Sequence, residues 1–324
     1  MRDVSAKKQR NDQLAAYRAA HVPLYNGQPL KLGLFGVNAN GTIFMSTAPS
    51  SFEVSWRHSL EIAELADSIG LEAIIPVARW RGFGGDMNWN GTTYETLTYA
   101  AGLAACTKNL MTFSTIHVPL IHPVVAAKAM TTIDHISGGR AGLNIVMGWY
   151  EKEMRMFGTE LRAHDDRYAY GAEWTTIVDR LWTVTEPFDY KGTYFSLEQC
   201  EALPKPIQPR PVLLNAGASP AGIDFSARYA DFNFASFTTA DHASRYSKTI
   251  RERAEYDRDI GLVTLVVLVC RDTEAEAKAA YQTILDHGDW TAADNFKADL
   301  NIRTGSFDEH FQEQFLAKFV AGSG

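Results

Sequence analysis

The sequence is poor in cysteine, in basic charge and in long apolar runs. Its three cysteines, Cys106, Cys200 and Cys270, lie far apart and are odd in number. Such spacing gives neither a disulfide framework nor a zinc pattern, and reduced, buried thiols in a cytoplasmic protein are expected. The 31 Lys and Arg face 38 Asp and Glu, for a formal net charge of −7. That balance argues against nucleic acid and anionic membrane as main partners, because both require a basic surface. No apolar run reaches the roughly 18–20 residues of a membrane helix. The opening MRDVSAKKQRND leads into no apolar segment, so no secretory signal is expected.

What is present is ordinary globular composition, 46% hydrophobic and 21% charged over 324 residues, a length that suits a single α/β barrel. Residues 1–30 are polar, with an Ala-rich stretch from Gln13 to Ala20 followed by Pro23, Gly27 and Pro29. They are expected as an N-terminal arm with one short helix, outside the core. Strands and helices then alternate. Short apolar runs predict strands at Lys31–Val37, Glu72–Val77, Leu110–His117, Ala141–Met147, Pro211–Asn215, Asp231–Ala235 and Leu262–Cys270. Helical spacing predicts helices at Phe52–Ile69, Thr93–Cys106, Pro123–Ile136, Asp166–Thr183, Pro220–Tyr229, Ala240–Ile260 and Glu274–His287.

Strands separated by helices of about a dozen residues imply right-handed βαβ units and a parallel sheet. The order fits an α/β fold of the (β/α)8 TIM-barrel type better than an open doubly wound sheet. No GxGxxG opens a helix after the first strand, which weighs against a dinucleotide fold. After His287 comes a polar, irregular stretch, read as an insertion, and then Phe311–Val320; no eighth strand is visible. Residues 31–324 are thus expected to form one barrel domain.

Barrel active sites lie at the C-terminal ends of the strands. The residues there are Asn38 and Asn40; Ala78 and Arg79 with the loop RGFGG (81–85); Thr115 and His117; Asn144 and Trp149; and Gly217, Ala218 and Ser219. Apart from Arg79, Arg81 and a histidine, this set is polar and uncharged. It lacks the carboxylate pair of a glycosidase and the His/Asp cluster of a metal hydrolase, so no metal is expected. The segment AGASPAG (216–222) opens a helix directly after a strand. Its small residues suit either a phosphate held on backbone N–H groups or an ordinary turn with Ser219 as N-cap. Asn144 in the apolar run LNIV is a buried amide that needs partners, which favours a functional asparagine in the barrel interior. Thr115 is by itself a natural strand residue. His117 and His122 lack a neighbouring carboxylate and read as substrate-pocket or loop residues, not metal ligands. Arg79 and Arg81 beside Trp80 and Phe83 would suit RNA stacking, which the acidic net charge opposes.

RGFGG (81–85), TIDHISGGRAGLNIVMGW (132–149), DDRY (165–168), AGASPAG and SARYADFNF (226–234), taken together, resemble the bacterial luciferase-like flavin monooxygenases over residues 31 to 270. Within that family the chain is most similar to the branch containing the pyrimidine and dimethylsulfone monooxygenases. The resemblance implies a (β/α)8 barrel and a two-component reaction. Reduced FMN is supplied by a separate NAD(P)H:flavin reductase, and one atom of O2 passes to a small organic substrate through an N5- or C4a-peroxide of the flavin. It implies pyrimidine ring opening first, and sulfone or xenobiotic cleavage second. It also implies a homodimer or homotetramer.

Residue by residue, the resemblance implies that Ala78 and Arg79 line the flavin, that Asn144 sits beside its ring and that Glu153 contributes to the site. Arg167, Tyr168 and Ser219 would hold the phosphate. Thr115 and Asn144 would frame the oxygen pocket, and Trp149 would wall the substrate. His117 would project toward that pocket, where the pyrimidine branch carries small and apolar residues. The residue types agree: a phosphate suits Arg167, Tyr168 and a helix N-terminus, and a reactive oxygen adduct suits uncharged donors and excluded water. Two alternatives remain, a deazaflavin-dependent hydride-transfer enzyme on the same barrel and a non-catalytic flavin-binding barrel.

Overall fold

A computed structural model describes residues 2–301 except 238 and 255–257, with side chains from 11 to 300. Seven parallel strands form one sheet: β1 (Gly33–Phe35), β2 (Ala73–Ile75), β3 (Met111–His117), β4 (Ala141–Val146), β7 (Val212–Asn215), β8 (Phe232–Phe234) and β9 (Gly261–Val263), hydrogen-bonded in that order. An antiparallel hairpin, β5 (Phe188–Lys191) with β6 (Ser196–Cys200), stands apart. Helices α1 (Arg2–His21), α2 (Trp56–Ser68), α3 (Thr96–Cys106), α4 (Pro123–Ser137), α5 (Glu151–Met156), α6 (His164–Thr183), α7 (Pro220–Tyr229), α8 (Ala240–Arg253), α9 (Glu274–Asp286) and α10 (Trp290–Asn301) complete the described chain.

The sheet curls into a barrel wall, and ring contacts show it. Phe35 on β1 meets Phe234 on β8 with centroids 5.4 Å apart, although four strands lie between them in the sheet. Alternation along each strand sorts the side chains into two layers. Ala73, Ile75, Met111, Phe113, Val212 and Leu214 fill the lumen, with Phe35, Phe232, Phe234 and Val263 against them. The intervening residues Ile116, Ala141, Leu143, Ile145 and Leu213 pack outward on Ala126, Met130, Ile177 and Leu181 of α4 and α6. Gly142 is required by this packing, since a Cβ there would lie 2.5 Å from the Phe113 ring.

The N-terminal segment does more than the expected arm outside the core. Its helix is long, Val22 joins the lumen cluster and Arg18 is buried. Arg18 grips Asp231 with two hydrogen bonds, Nη1–Oδ1 at 2.8 Å and Nη2–Oδ2 at 2.7 Å. Arg210 donates to the same carboxylate, and the Leu213 N–H donates to its Oδ2 at 2.8 Å. Burial alone would raise the Asp231 carboxyl; the Arg18, Arg210 and Arg258 guanidiniums outweigh that and hold it far below the usual carboxylate range. Asp231 immediately precedes β8, so this cluster ties α1 to the floor of the barrel.

Other departures have simple causes. The run Leu262–Cys270 is strand only to Val263, because the ladder ends where β8 ends, at the pair Phe234–Val263. Beyond it Val266 and Leu268 are 71% and 82% exposed. Among the described residues the sheet has no eighth strand, in line with the sequence. The expected helix to Ile260 stops at Arg253. The stretch after His287, expected to be irregular, contains α10, whose Ala292, Phe296 and Leu300 recur at helical spacing and are buried. Phe311–Val320 lies outside the described residues. Cys200 is buried as expected, but Cys106 and Cys270 are exposed; all are free thiols. No described helix is long and apolar enough to cross a membrane.

Asp231→Asn would leave buried guanidiniums without their counter-charge. It should lower the unfolding free energy by about 3–5 kcal/mol in urea titrations, whereas a change under 1 kcal/mol would show that the cluster does not anchor α1.

Candidate active site

The face alternation that places Met111 and Phe113 in the lumen carries Thr115 and His117 on to the same face at the C-terminal end of β3. Thr115 stands directly opposite Asn144 in the β3–β4 ladder. The Asn144 Nδ2–H donates to Thr115 Oγ1 at 3.1 Å, and that hydroxyl donates on to the Pro76 carbonyl at 2.5 Å. Both side chains are buried, and among the described residues Asn144 Oδ1 has no hydrogen-bond partner. An orphaned acceptor in a wall of apolar residues is costly unless a ligand completes it.

Arg79, after β2, forms an ion pair with Glu153 of α5 at 3.3 Å, with side chains 7% and 0% exposed. The Glu153 Oε1 also accepts the N–H groups of Trp80 and Arg81, at 2.6 and 3.2 Å, while Oε2 has no partner among the described residues. Glu153 thus reaches across to the loop after β2. The Arg79 Cζ lies 5.1, 5.2 and 5.6 Å from the ring centroids of Phe83, Trp149 and Tyr150, a cation–π enclosure. Helix α10 covers it: Phe296 packs edge-on to Phe83, and Asn295 Nδ2–H donates to the Phe83 carbonyl at 2.7 Å.

The segment 216–222 is shaped by close approach. A Cβ at Gly217 would lie 2.6 Å from the Tyr168 hydroxyl, and one at Gly222 would lie 2.7 Å from the backbone of Gly217. Ser219 caps α7 by accepting the Gly222 N–H at 3.2 Å. Burial raises the Tyr168 phenol, with Ser219 and Arg167 opposing. The Arg167 Nη1–H donates to the Gly148 carbonyl at 2.5 Å. Ala218 is half-buried between them. Arg167, Tyr168, Gly217, Ala218 and Ser219 therefore share one corner of the rim, a helix N-terminus with a guanidinium and two hydroxyls.

Two strand-end asparagines are structural. Asn38 bonds the Val77 carbonyl at 2.8 Å and accepts the Val77 N–H at 2.8 Å. Asn40 bonds the Met87 carbonyl and the Thr92 N–H. The buried network below the 216–222 loop was not singled out from the sequence. Ser226 Oγ–H donates to Asn215 Oδ1 at 2.9 Å, and Asn233 Nδ2–H donates to the Gly217 carbonyl at 3.0 Å. The available signal was an asparagine in each of two apolar strands, LLN and FNF.

A family model described as luciferase-like monooxygenase matches residues 32–318. The chain belongs to the luciferase-like monooxygenase family. Pyrimidine monooxygenase RutA of Bradyrhizobium sp. (strain BTAi1) is 33% identical over 268 residues, covering 80% of this chain and 73% of the relative. RutA of Enterobacter cloacae is 31% identical over 293 residues, covering 85% and 79%. The crystal structure of riboflavin lyase (RcaE), with modified FMN and substrate riboflavin, has a TM-score of 0.77 at 24% identity over 87% of this chain and 72% of that one; the two share the fold. This luciferase-like protein is a monooxygenase. Among the described residues no group of His, Cys, Asp and Glu could hold a metal ion.

His117 is 4% exposed and its Nδ1 finds no hydrogen-bond partner among the described residues. Burial pushes the imidazole down to about 4; Glu153 opposes this and Arg79 adds to it. A base whose folded value lies below its unfolded value of 6.5 binds fewer protons when folded, so stability falls as pH drops from about 6.5 to about 4. Urea midpoints at about pH 7 and about pH 5 should diverge more in the wild type than in His117→Leu. Equal divergence would show that His117 is protonated in the folded protein.

Proposed function

We propose that the chain is the oxygenating component of a two-component, FMNH2-dependent monooxygenase that transfers one atom of O2 to a small organic substrate. The observation that carries this reading is the buried Thr115–Asn144 pair, uncharged and facing the lumen, whose amide oxygen has no hydrogen-bond partner among the described residues. The residues present fit a flavin with a phosphate tail. Ala78, Arg79 and Glu153 line one wall of the ring site, with Asn144 at its edge, and the cradle formed by Gly217, Ala218 and Ser219 admits no added Cβ at Gly217. Arg167, Tyr168 and Ser219 supply a positive charge and two hydroxyls for the phosphate.

Reduced FMN, when bound, supplies the electrons that activate dioxygen. The chain's own residues orient and protect. Thr115 accepts from the Asn144 amide and commits its own proton to the Pro76 carbonyl, so the amide, with its second N–H and its Oδ1, is fixed before any ligand arrives. The aromatic enclosure of Arg79 under α10 keeps water from the mouth. Trp149 and His117 bound the substrate side. A ring-opening oxygenation of a pyrimidine is the first substrate reading, supported by the RutA relatives, and a sulfone is the second. An NAD(P)H:flavin reductase partner, a homodimer or homotetramer and a cytoplasmic location complete the proposal.

Anaerobic titration should show tighter binding of FMNH2 than of FMN, followed on admission of O2 by oxygenation of added uracil. Asn144→Ala should retain FMNH2 binding within about threefold and lose oxygenation by about 100-fold, the scale of removing one donor to developing charge; undiminished activity would sink the assignment. Ser219→Ala should weaken FMN about tenfold while leaving riboflavin unchanged, as expected for one hydrogen bond to a charged phosphate. An equal loss for both would place the phosphate elsewhere.

A further inference from the structure

One buried polar group at the rim is used neither by the fold nor by the oxygen pocket. His117 lies two residues beyond Thr115 on the lumen face of β3, about 6.6 Å nearer the mouth at the usual strand rise. With Thr115 it lines a crevice bounded by Ala78, Arg79, Leu120 and Ile121. Its ring is buried and its Nδ1 lacks a hydrogen-bond partner among the described residues, whereas His122, further along the same connection, accepts the Val124 N–H and caps α4. A histidine kept for packing would be expected to bond a backbone group, as His122 does.

We propose that His117 selects the substrate through a hydrogen bond to an uncharged polar group, such as a carbonyl or sulfonyl oxygen or a ring N–H, carried on the mouth side of the reacting atom. This rests on the monooxygenase reading and narrows it to a substrate class. The charges nearest the ring are Arg79 and Glu153, already paired with each other, and the same crevice holds Glu95, whose carboxylate caps α3. Burial keeps the imidazole neutral at physiological pH, so it offers one donor and one acceptor and no net charge. A carboxylate-rich substrate finds no counter-charge in this ring, and an alkane would leave its buried nitrogen unmatched. The site rejects both by the same physics: a polar pocket group discriminates against a ligand that cannot complete it.

The test uses the full chain with FMNH2 and three probes, uracil, dimethyl sulfone and n-octane, on the wild type, His117→Leu and His117→Gln. The wild type should oxygenate at least one of the polar probes and not n-octane. His117→Leu should raise KM for that probe about 10–100-fold, with kcat within about threefold and FMNH2 affinity within about twofold. His117→Gln, which restores a donor and an acceptor, should recover much of the KM. An unchanged KM in His117→Leu, a fall confined to kcat, or preferred turnover of n-octane by the wild type would overturn the proposal. Loss of FMNH2 binding in His117→Leu would overturn it too, by assigning the ring to the cofactor. FMNH2 bound by the wild type with none of the three probes oxygenated would reject this substrate class. Failure of the wild type to prefer FMNH2 at all would instead remove the monooxygenase reading beneath it.

Discussion

Everything at the mouth of this barrel depends on the register between β3 and β4, a ladder that pairs Thr112–Ala141 through His117–Val146 without a break. Because side chains alternate, this register sets Thr115 and Asn144 side by side on the lumen face and sends Ile116, Leu143 and Ile145 outward into the helix layer. A slip of one residue would exchange the two sets, burying the amide among the helices and filling the pocket with Ile and Leu. The large apolar contacts made by the outward set forbid that slip. The core therefore orients the polar pair, although no core residue belongs to the pocket. The next ladder extends the constraint: Asn144 pairs with Leu214 and Ile145 with Asn215, which sets the level from which the 216–222 loop departs.

The barrel treats buried polarity in opposite ways at its two ends. At the floor Asp231 is surrounded by Arg18, Arg210 and Arg258 and also accepts a backbone N–H. Arg258 in turn bonds the carbonyls of Ala227 and Ala230 at the C-terminal end of α7, where positive charge opposes the helix dipole. At the mouth, Asn144 Oδ1, His117 Nδ1 and Glu153 Oε2 are buried with no hydrogen-bond partner among the described residues. Unmatched atoms are tolerable there only because the remainder is over-determined. Asn38, Asn40, Asn215 and Asn233 spend their amides on backbone carbonyls and fix the loops that carry the pocket. Asparagine thus stands in two settings in one barrel, and the face it occupies decides which: outward or loop-facing amides are satisfied, and the lumen amide keeps an unmatched acceptor among the described residues.

That division explains what could be read from the sequence. The alternation of KLGLFGV, EAIIPV and AGLNIVM with helical stretches gave the parallel sheet, and Asn144 was legible because a single amide interrupts an otherwise apolar run. Asn215 and Asn233 carry the same signal, but a linear string does not show which face a strand-end residue takes. Arg18 was illegible for another reason. Its partner Asp231 lies 213 residues away, and a polar N-terminal segment has no local mark of burial. The extra length assigned to the strand after Leu262 shows the converse error. TLVVLV has strand composition throughout, yet ladder bonds need a neighbour, and β8 ends at Phe234. The mouth-side pieces α5 and α10 escaped notice because their apolar residues are few and are diluted by charge.

Those two helices carry the last step of the argument. Arg79 is an unusual choice for a wall of a neutral pocket, since a guanidinium in an apolar setting is expensive unless it is paired and enclosed. Here α5 contributes the pairing carboxylate, Glu153, and the loop after β2 contributes Phe83 to the enclosure. α10 and the residue before it hold that loop at two points and α5 at a third. Asn295 bonds the Phe83 carbonyl, the Asp289 carboxylate preceding the helix accepts the Met87 N–H at 2.9 Å, and Asp299 pairs with Lys152 of α5 at 2.8 Å. Gly85 is part of the same fit, with φ +74 and a Cβ position only 2.3 Å from Asp289. Remove α10 and the stacked rings of Phe83 and Trp149 would face solvent, raising the dielectric around Arg79 and Glu153 and weakening the pair that positions both. The helix hidden in a polar stretch of sequence is what encloses the charged pair that sits beside Thr115.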